Sequence, residues 1–213
     1  MTPDAPGVRT GLSRSAWLAF GSIVVWLLAN AGTVDIWLAN GGAALVLGIA
    51  VLLVEHRAST ALLKPNATLV LLGVGIGALM VAATYELYPW VSRRWPFVAP
   101  DMARLYAAFR APSTAVATAA LVPVIVGEEL VWRGVVQEVF VRRLQVARGV
   151  TVAALVYALV QAPLGSPSLV VAALLCGLVW GALREATGSL VPTLVAHLLW
   201  DFVVLLWMPL DAR

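Results

Sequence analysis

The sequence predicts an all-α fold: a polytopic membrane helical bundle of about seven transmembrane spans with one short amphipathic surface helix. Hydrophobic residues make up 62% of the 213 positions and charged residues only 12%, whereas soluble domains carry about 25% charged residues. Apolar runs of roughly membrane-spanning length recur along the chain and are separated by short polar segments. Because no second compositional region interrupts this pattern, we expect a single integral membrane domain over residues 1–213.

The positive charge of the chain is explained by the membrane. The net charge of +3 comes from arginines scattered at the ends of apolar runs, which indicates anchoring in a lipid bilayer and no nucleic-acid partner. The single Cys176 excludes an intrachain disulfide and is expected to be a small buried hydrophobe. Several tryptophans lie near predicted span ends, as an interfacial belt requires: Trp17, Trp26, Trp37, Trp90 and Trp95.

The first apolar run covers residues 16–34 and follows a polar stretch, residues 1–14. It is either a first span or a signal peptide with Ala29-Asn30-Ala31 as the cleavage site. We favour an uncleaved span because six further apolar runs follow. The second span is predicted over about residues 36–54.

The third span, about residues 67–88, contains three small residues that favour close helix packing: Gly73, Gly75 and Gly77. A long polar connection follows over residues 91–112. Its portion from Asp101 to Phe109 has apolar residues at helical spacing and predicts an amphipathic surface helix. That helix is either a membrane-surface anchor or a gate to a site.

Four spans complete the bundle. The fourth is predicted from residue 114 to the Arg142-Arg143 pair, with a kink at Pro123. The others cover about residues 149–162, 167–183 and 189–209. The sixth carries Gly177-x-x-x-Gly181, a close-packing pattern.

The distribution of positive charge predicts the orientation. With the N-terminus in the cytoplasm, eight basic residues lie inside and five outside, so an N-in, C-out arrangement in the inner cell membrane is favoured. The outside residues are Arg93, Arg94, Arg104, Arg110 and Arg213. In this arrangement a site near Gln161 opens toward the non-cytoplasmic side, since Pro163 ends the helix there.

Three charged residues stand inside the fourth apolar run: Glu128, Glu129 and Arg133. A charge near the bilayer centre costs about 2.5–3.5 kcal/mol, so each needs a partner or a task. Glu129 and Arg133 are i and i+4 neighbours with the acid first, the favourable order for an ion pair. Glu128 points about 100° away. We therefore expect the pair to be scaffold and Glu128 to be the reactive group.

Further polar residues converge on the depth of Glu128. At 1.5 Å per residue, Glu128 lies ~21 Å, Gln161 ~20 Å and Asp201 ~18 Å from the inner ends of their spans. His197 is the i−4 neighbour of Asp201 on one helix face. Together these side chains predict a polar site within the membrane.

The ordered motifs resemble the CAAX-protease and bacteriocin-processing family of intramembrane glutamic endopeptidases. They are Glu128-Glu129-x3-Arg133, Tyr157-x3-Gln161 and His197-x3-Asp201, each on its own span. The resemblance covers about residues 114–205 as a catalytic core, and the first hundred residues add only generic spans. It implies a proteolytic site in which Glu128 activates water while His197 and Asp201 donate to or orient the oxyanion.

The chain departs from the family pattern at Gln161, where members usually have His. Glutamine can hold water by hydrogen bonds but cannot exchange a proton near neutral pH. The predicted function is hydrolysis of a peptide bond in a membrane-anchored peptide or protein substrate, without a cofactor. The alternative is a catalytically impaired member that acts as a binding or immunity protein.

The same residues allow two other functions to be considered, a zinc site and a transporter. Glu128, His197 and Asp201 could bind zinc, although Gln161 is a poor third nitrogen ligand. A transporter is disfavoured because the chain shows no inverted repeat and has few spans.

Overall fold

A computed structural model describes residues 6–32, 36–109 and 113–212, and these ranges are helical and contain no strand. The predicted all-α fold is therefore confirmed. Arg110 and Arg213, both used in the orientation argument, lie outside the described residues. In chain order the α-helices are α1 Pro6–Ala31, α2 Ile36–Val54, α3 His56–Leu62, α4 Ala67–Arg94, α5 Val98–Phe109, α6 Thr114–Val131, α7 Gln137–Leu144, α8 Val146–Leu159, α9 Pro167–Thr187 and α10 Val191–Asp201.

Two π-helical and two 3-10 segments connect or extend these helices. One π-helical segment, Trp132–Val136, joins α6 to α7, and the other, Phe202–Trp207, extends α10. The 3-10 turns are Ala162–Leu164, between α8 and α9, and Leu210–Ala212. The chain therefore passes from α6 to α7 without a loop.

Six described helices are long and apolar enough to cross a membrane: Arg14–Ala31, Ile36–Val54, Ala67–Arg94, Ala115–Leu144, Val146–Leu164 and Pro167–Thr187. A shorter apolar helix, Val191–Trp207, occupies the position of the predicted seventh span. The third spanning helix, α4, continues to Arg94, six residues beyond the predicted end of the third span. The protein is a multi-pass membrane protein, as predicted.

Glycines bring helices into close contact where the site helices need neighbours. The Cα of Gly127 in α6 lies 2.9 Å from the position a Cβ would take on Gly48 of α2, and a Cβ on Gly127 would overlap the backbone of Ala44. Gly73 and Gly77 likewise face the backbone of α10, whereas Gly75 faces open space. The prediction of close packing was thus right for two of these three α4 glycines and wrong for Gly75.

The predicted Gly177-x-x-x-Gly181 contact is present in α9. Gly177 lies against Ala154 of α8, and Gly181 lies against the side chain of Gln137. The amide of Gln137 also donates a 3.0 Å hydrogen bond to the carbonyl oxygen of Gly181. Small side chains therefore let α9 approach two neighbouring helices.

Helix α5, predicted to be either a membrane-surface anchor or a gate to a site, is hydrogen-bonded to the bundle. Asp101 is buried and accepts 2.9 Å hydrogen bonds from the hydroxyl of Ser166 and the backbone N–H of Ser168. The Tyr106 hydroxyl donates a 2.7 Å bond to the carbonyl oxygen of Val204. These bonds tie α5 to the start of α9 and to the π segment after α10.

One tryptophan does not follow the predicted interfacial belt. Trp17, Trp90 and Trp95 are exposed, as a belt requires, but Trp26 is fully buried. Its ring packs edge-on against Trp132, with centroids 5.6 Å apart. Trp26 therefore anchors α1 to the start of the first π segment.

Candidate active site

The two adjacent glutamates of α6 lie in different surroundings. Glu129 is 0% exposed, and its Oε1 lies 3.2 Å from a guanidinium nitrogen of Arg133, which is also buried. The predicted i, i+4 ion pair is therefore present. Both ions are removed from water, so the pair depends on mutual neutralisation.

His197 joins this ion pair to α10. Its Nδ1 lies 2.9 Å from Glu129 Oε1, and its Nε2 lies 3.5 Å from Asp201 Oδ2. An ionised carboxylate only accepts hydrogen bonds, so Nδ1 carries a proton and donates to Glu129. Glu129 is thus more than a partner for Arg133: it also fixes the imidazole ring on the neighbouring helix.

Aromatic rings enclose the cation and the imidazole. The guanidinium of Arg133 lies 4.5 Å from the Tyr157 ring centroid and 5.1 Å from that of Trp180. Trp180 also stacks on His197, with centroids 3.7 Å apart and an interplanar angle of 23°. The sequence analysis missed Trp180, for which the only signal was a tryptophan in the middle of an apolar run. Cation–π contacts of this kind help to stabilise a buried charge.

Glu128 makes a different contact. Its Oε2 accepts a 3.0 Å hydrogen bond from the Tyr157 hydroxyl, and its side chain retains 9% exposure. Tyr157 appeared in the sequence motif but was not among the predicted site residues. No ion pair of Glu128 is found among the described residues, which separates it from Glu129 as the spacing predicted.

A cavity of about 720 Å³ opens beside Glu128. Its lining includes five polar residues of the predicted motifs: Glu128, Tyr157, Gln161, His197 and Asp201. Glu129 and Arg133 are not among the lining residues. Four predicted site residues therefore share one space, and the two predicted scaffold residues support it.

The rest of the cavity wall is mostly apolar and comes largely from α2, α4, α5 and α9. Trp37, Met80, Leu87 and Met102 belong to it. The sequence analysis treated the first hundred residues as generic spans, and the structure corrects this. The N-terminal helices close the space into which the acidic residue points.

Gln161 lies where α8 gives way to a 3-10 turn. It is 7% exposed, and its Oε1 accepts a 3.0 Å hydrogen bond from Nδ2 of Asn30. The same Nδ2 donates to the carbonyl oxygen of Val160 at 2.7 Å. Asn30 was considered only as part of a cleavage-site pattern, although a polar residue inside an apolar span was a usable signal.

Two of the three helices that carry site residues change geometry close to them. Helix α6 continues through Pro123, where a kink is predicted, and becomes π-helical at Trp132–Val136, which includes Arg133, while α10 becomes π-helical at Phe202–Trp207, directly after Asp201. The sequence did not predict either π-helical segment. π-Helical turns are rare and occur frequently at functional sites.

The possible metal ligands of the site are His197 and the carboxylates around it. In residues 6–32, 36–109 and 113–212, no three His, Cys, Asp or Glu side chains group as metal ligands. His197 has a carboxylate near each ring nitrogen. Zinc binding stays an untested alternative, which metal analysis of the purified protein addresses.

Comparison with known proteins gives one match. Residues 110–203 match the family model described as "Type II CAAX prenyl endopeptidase Rce1-like". This segment includes Glu128, Tyr157, Gln161, His197 and Asp201. No curated protein matches the chain, and no solved structure matches it.

Proposed function

We propose that this membrane protease of the Rce1-like CAAX endopeptidase family cleaves a membrane-anchored peptide with water activated by Glu128. The match of residues 110–203 confirms the predicted resemblance to the CAAX-protease and bacteriocin-processing family. The observation that carries the proposal is the position of Glu128. It is the glutamate of the pair that lines the cavity, together with His197 and Asp201. The inner cell membrane is the proposed location.

Glu128 is suited to act as a general base. Tyr157 holds one of its carboxylate oxygens at 3.0 Å and so fixes the plane of the carboxylate. A water bound beside it transfers a proton to the carboxylate as its oxygen attacks the substrate carbonyl. Positioned general bases of this kind contribute about 10²–10⁴-fold to rate.

His197 is suited to stabilise the oxyanion. Glu129 fixes Nδ1, whereas the Nε2 contact with Asp201 is long at 3.5 Å. As an imidazolium between two carboxylates, His197 also carries a proton on Nε2, so a developing oxyanion can accept a hydrogen bond from Nε2 without breaking a tight bond. Asp201, as an acceptor-only carboxylate, orients the imidazole and does not itself donate. Such preorganised donors are worth about 3–4 kcal/mol each.

The apolar wall defines the kind of substrate. A cavity that combines these polar groups with a mostly apolar lining suits a peptide that carries an apolar or lipid-modified segment. The matched family is described as a CAAX prenyl endopeptidase family. For this chain, the proposed substrate is a membrane-associated peptide of that general chemistry.

The decisive experiment identifies substrates in cells. Quantitative proteomics of membrane-protein termini compares the parent chain with Glu128→Ala, and termini that depend on Glu128 report its substrates. Glu86→Ala is the matched control, because Glu86 is an exposed glutamate on α4 that does not line the cavity. We expect processing to persist in Glu86→Ala and to stop in Glu128→Ala. Processing that persists in both variants would contradict the proposal.

The alternative functions give different results in the same system. A binding or immunity protein would show its phenotype without any Glu128-dependent terminus. A metal site would lose activity with chelator and would contain metal after purification, whereas the glutamate mechanism predicts resistance to chelators.

The side from which substrate enters can be measured separately. If the site opens to the non-cytoplasmic face, cysteines at positions 158–166 will react in intact cells with a membrane-impermeant thiol reagent. Labelling from the cytoplasmic face alone would reverse the proposed orientation.

A further inference from the structure

The side-chain amides of Asn30 and Gln161 can be oriented from their partners. A backbone carbonyl oxygen can only accept, so the Asn30 atom 2.7 Å from Val160 O must be the nitrogen. That nitrogen also lies 3.0 Å from the Gln161 amide, and it must face the oxygen of that amide. Both hydrogens of Asn30 Nδ2 are then used, and the orientation of each amide follows from a backbone atom.

The arrangement determines what Gln161 presents to the cavity. Its Oε1 is held by Asn30, so its Nε2 is the end left for a ligand. Within the described parts of the chain, no group accepts a hydrogen bond from this nitrogen. Gln161 therefore offers N–H donors to the space that Glu128 faces.

The cost of holding Asn30 in place supports a positioning role. Asn30 is 3% exposed, and none of the described residues forms a hydrogen bond with its buried Oδ1. An unsatisfied buried acceptor costs about 1–3 kcal/mol. A smaller or apolar residue would avoid this cost, whereas only the NH₂ group of Asn30 serves both Val160 and Gln161.

We propose that Asn30 is a positioning residue that fixes Gln161 as a hydrogen-bond donor to the carbonyl oxygen of the scissile peptide bond. This inference rests on the proposed function. Asn30 lies on α1, outside the segment that matches the family model. Helix α1 thereby takes part in the chemistry of the site residues that α6, α8 and α10 carry.

The carbonyl oxygen is a better acceptor for Gln161 than the attacking water. A donor to the water oxygen would withdraw electron density from it and make the water a weaker nucleophile. As the water oxygen bonds to the carbonyl carbon, Glu128 takes the water proton and the π pair of the carbonyl moves to its oxygen. The N–H of Gln161 bonds to that oxygen most strongly when the negative charge has formed, which lowers the barrier.

The orientation of the amides can be tested without activity. Protein labelled with ¹⁵N in Asn and Gln side chains is studied by NMR in detergent micelles, and the NH₂ signals are assigned by their loss in Asn30→Leu and Gln161→Glu. We expect slow hydrogen exchange at the Asn30 NH₂ and faster exchange at the Gln161 NH₂. Equal exchange, or the reverse order, would overturn the proposed orientation even if the protein proves to be a protease.

The catalytic role is tested with a fluorescence-quenched peptide that spans a cleavage site found by the proteomic comparison. Gln161→Leu removes the donor at similar volume and should lower kcat about 100-fold with little change in KM. Gln161→His restores a donor and should stay active. A Leu variant that cleaves like the parent would show that Gln161 does not act on the substrate.

A double-mutant cycle isolates the role of Asn30. Asn30→Leu should lower kcat about tenfold in the parent and have no further effect on kcat in Gln161→Leu, because Asn30 acts only through Gln161. Ser22→Ala is the matched control: it removes a buried α1 hydroxyl that has no hydrogen-bond partner and does not line the cavity. Equal losses of kcat from Asn30→Leu in both backgrounds would overturn the positioning role.

No cleavage by the parent chain would end the proposed function while leaving the NMR result valid. No cleavage by the parent together with cleavage by Gln161→His would identify the chain as an impaired protease and would contradict a donor role for Gln161.

Discussion

The N-terminal helices α1–α5 and the C-terminal helices α6–α10 differ in both burial and chemistry. Between 11% and 28% of each N-terminal span window is buried, against 39–50% of each C-terminal one. Every acidic or histidine residue that lines the cavity comes from the C-terminal half: Glu128, His197 and Asp201. The N-terminal half contributes a mostly apolar wall, the side-chain amide of Asn30 and close helix contacts.

In the proposed function, burial of charge and binding of substrate are separate tasks in this bundle. The C-terminal helices contribute most of the buried residues and hold Glu129 and Arg133 away from lipid. The N-terminal helices expose much of their surface and shape the cavity from outside. Variants of the charged residues in the C-terminal half should therefore have the largest effects on chemistry or folding, and variants at the contacts between the halves should have smaller ones.

The largest expected effect is the loss of cleavage in Glu128→Ala. We expect a fall in kcat of about 10³-fold or more, with a melting temperature in detergent that is unchanged or higher, since removing this carboxylate relieves a desolvation cost. Activity against the identified peptide and the thermal melt of the same sample measure both effects. A parallel fall in folded protein would contradict the separation of chemistry from scaffold.

The next effect is the loss of folded protein in Arg133→Ala. Without the guanidinium, the buried charge of Glu129 loses its ion-pair partner at 3.2 Å, which should cost about 3 kcal/mol of unfolding free energy. Arg104→Ala is the matched control, because the Arg104 side chain is 75% exposed and its ion pair with Asp101 should contribute less than about 1 kcal/mol. Detergent-solubilised yield and melting temperature should separate the two arginines. Equal stability of both variants would show that Arg133 is not scaffold.

A smaller effect tests the contact between the two halves. Gly127→Ala places a methyl group against the backbone of Ala44 and should destabilise the protein by about 1–3 kcal/mol. Gly75→Ala meets nothing within 4 Å and should be neutral or slightly stabilising in its helix. Melting temperatures of the two variants decide the comparison. A stable Gly127→Ala variant would mean that α2 and α6 separate without cost.

The smallest expected effect concerns Asp101 and the attachment of α5. Burial raises the pKa of Asp101, but hydrogen bonds from Ser168, Ser166 and Arg104 outweigh it and leave the pKa below its usual value. A lowered folded pKa means that this stabilisation is present above about pH 4 and is lost as pH falls through the folded value. Asp101→Asn should cost about 1 kcal/mol at pH 7 and less at low pH.

Melting temperatures of the Asp101→Asn variant and its parent from pH 7 to pH 3 test this prediction. Glu86→Gln, which changes an exposed acid, should show no such convergence. A constant difference between parent and Asp101→Asn over the whole range would exclude Asp101 as the source.

The sequence predicted those features that depend on spacing within one helix. The Glu129–Arg133 pair and the helix of residues 36–54 follow from local periodicity and were found as expected. Contacts between helices distant in the chain were not accessible in this way. Asn30 meets Gln161 across 131 positions, and the burial of Trp26 depends on Trp132.

The π-helical segments were missed for a different reason. Nothing in the residue types of Trp132–Val136 disfavours an α-helix strongly, so their geometry must come from packing around them. The roles of the site residues remain predictions, since geometry brings groups together without showing which bond they break.

The contact between Asn30 and Gln161 also has a consequence for engineering. A chimera that joins residues 113–212 to the first helices of another membrane protein would keep all three sequence motifs and still lack the amide that orients Gln161. It would also need a small residue opposite Gly127. The exchangeable unit in this architecture is therefore the whole bundle, and a graft designed on the matched segment alone should fold poorly or turn over slowly until both contacts are rebuilt.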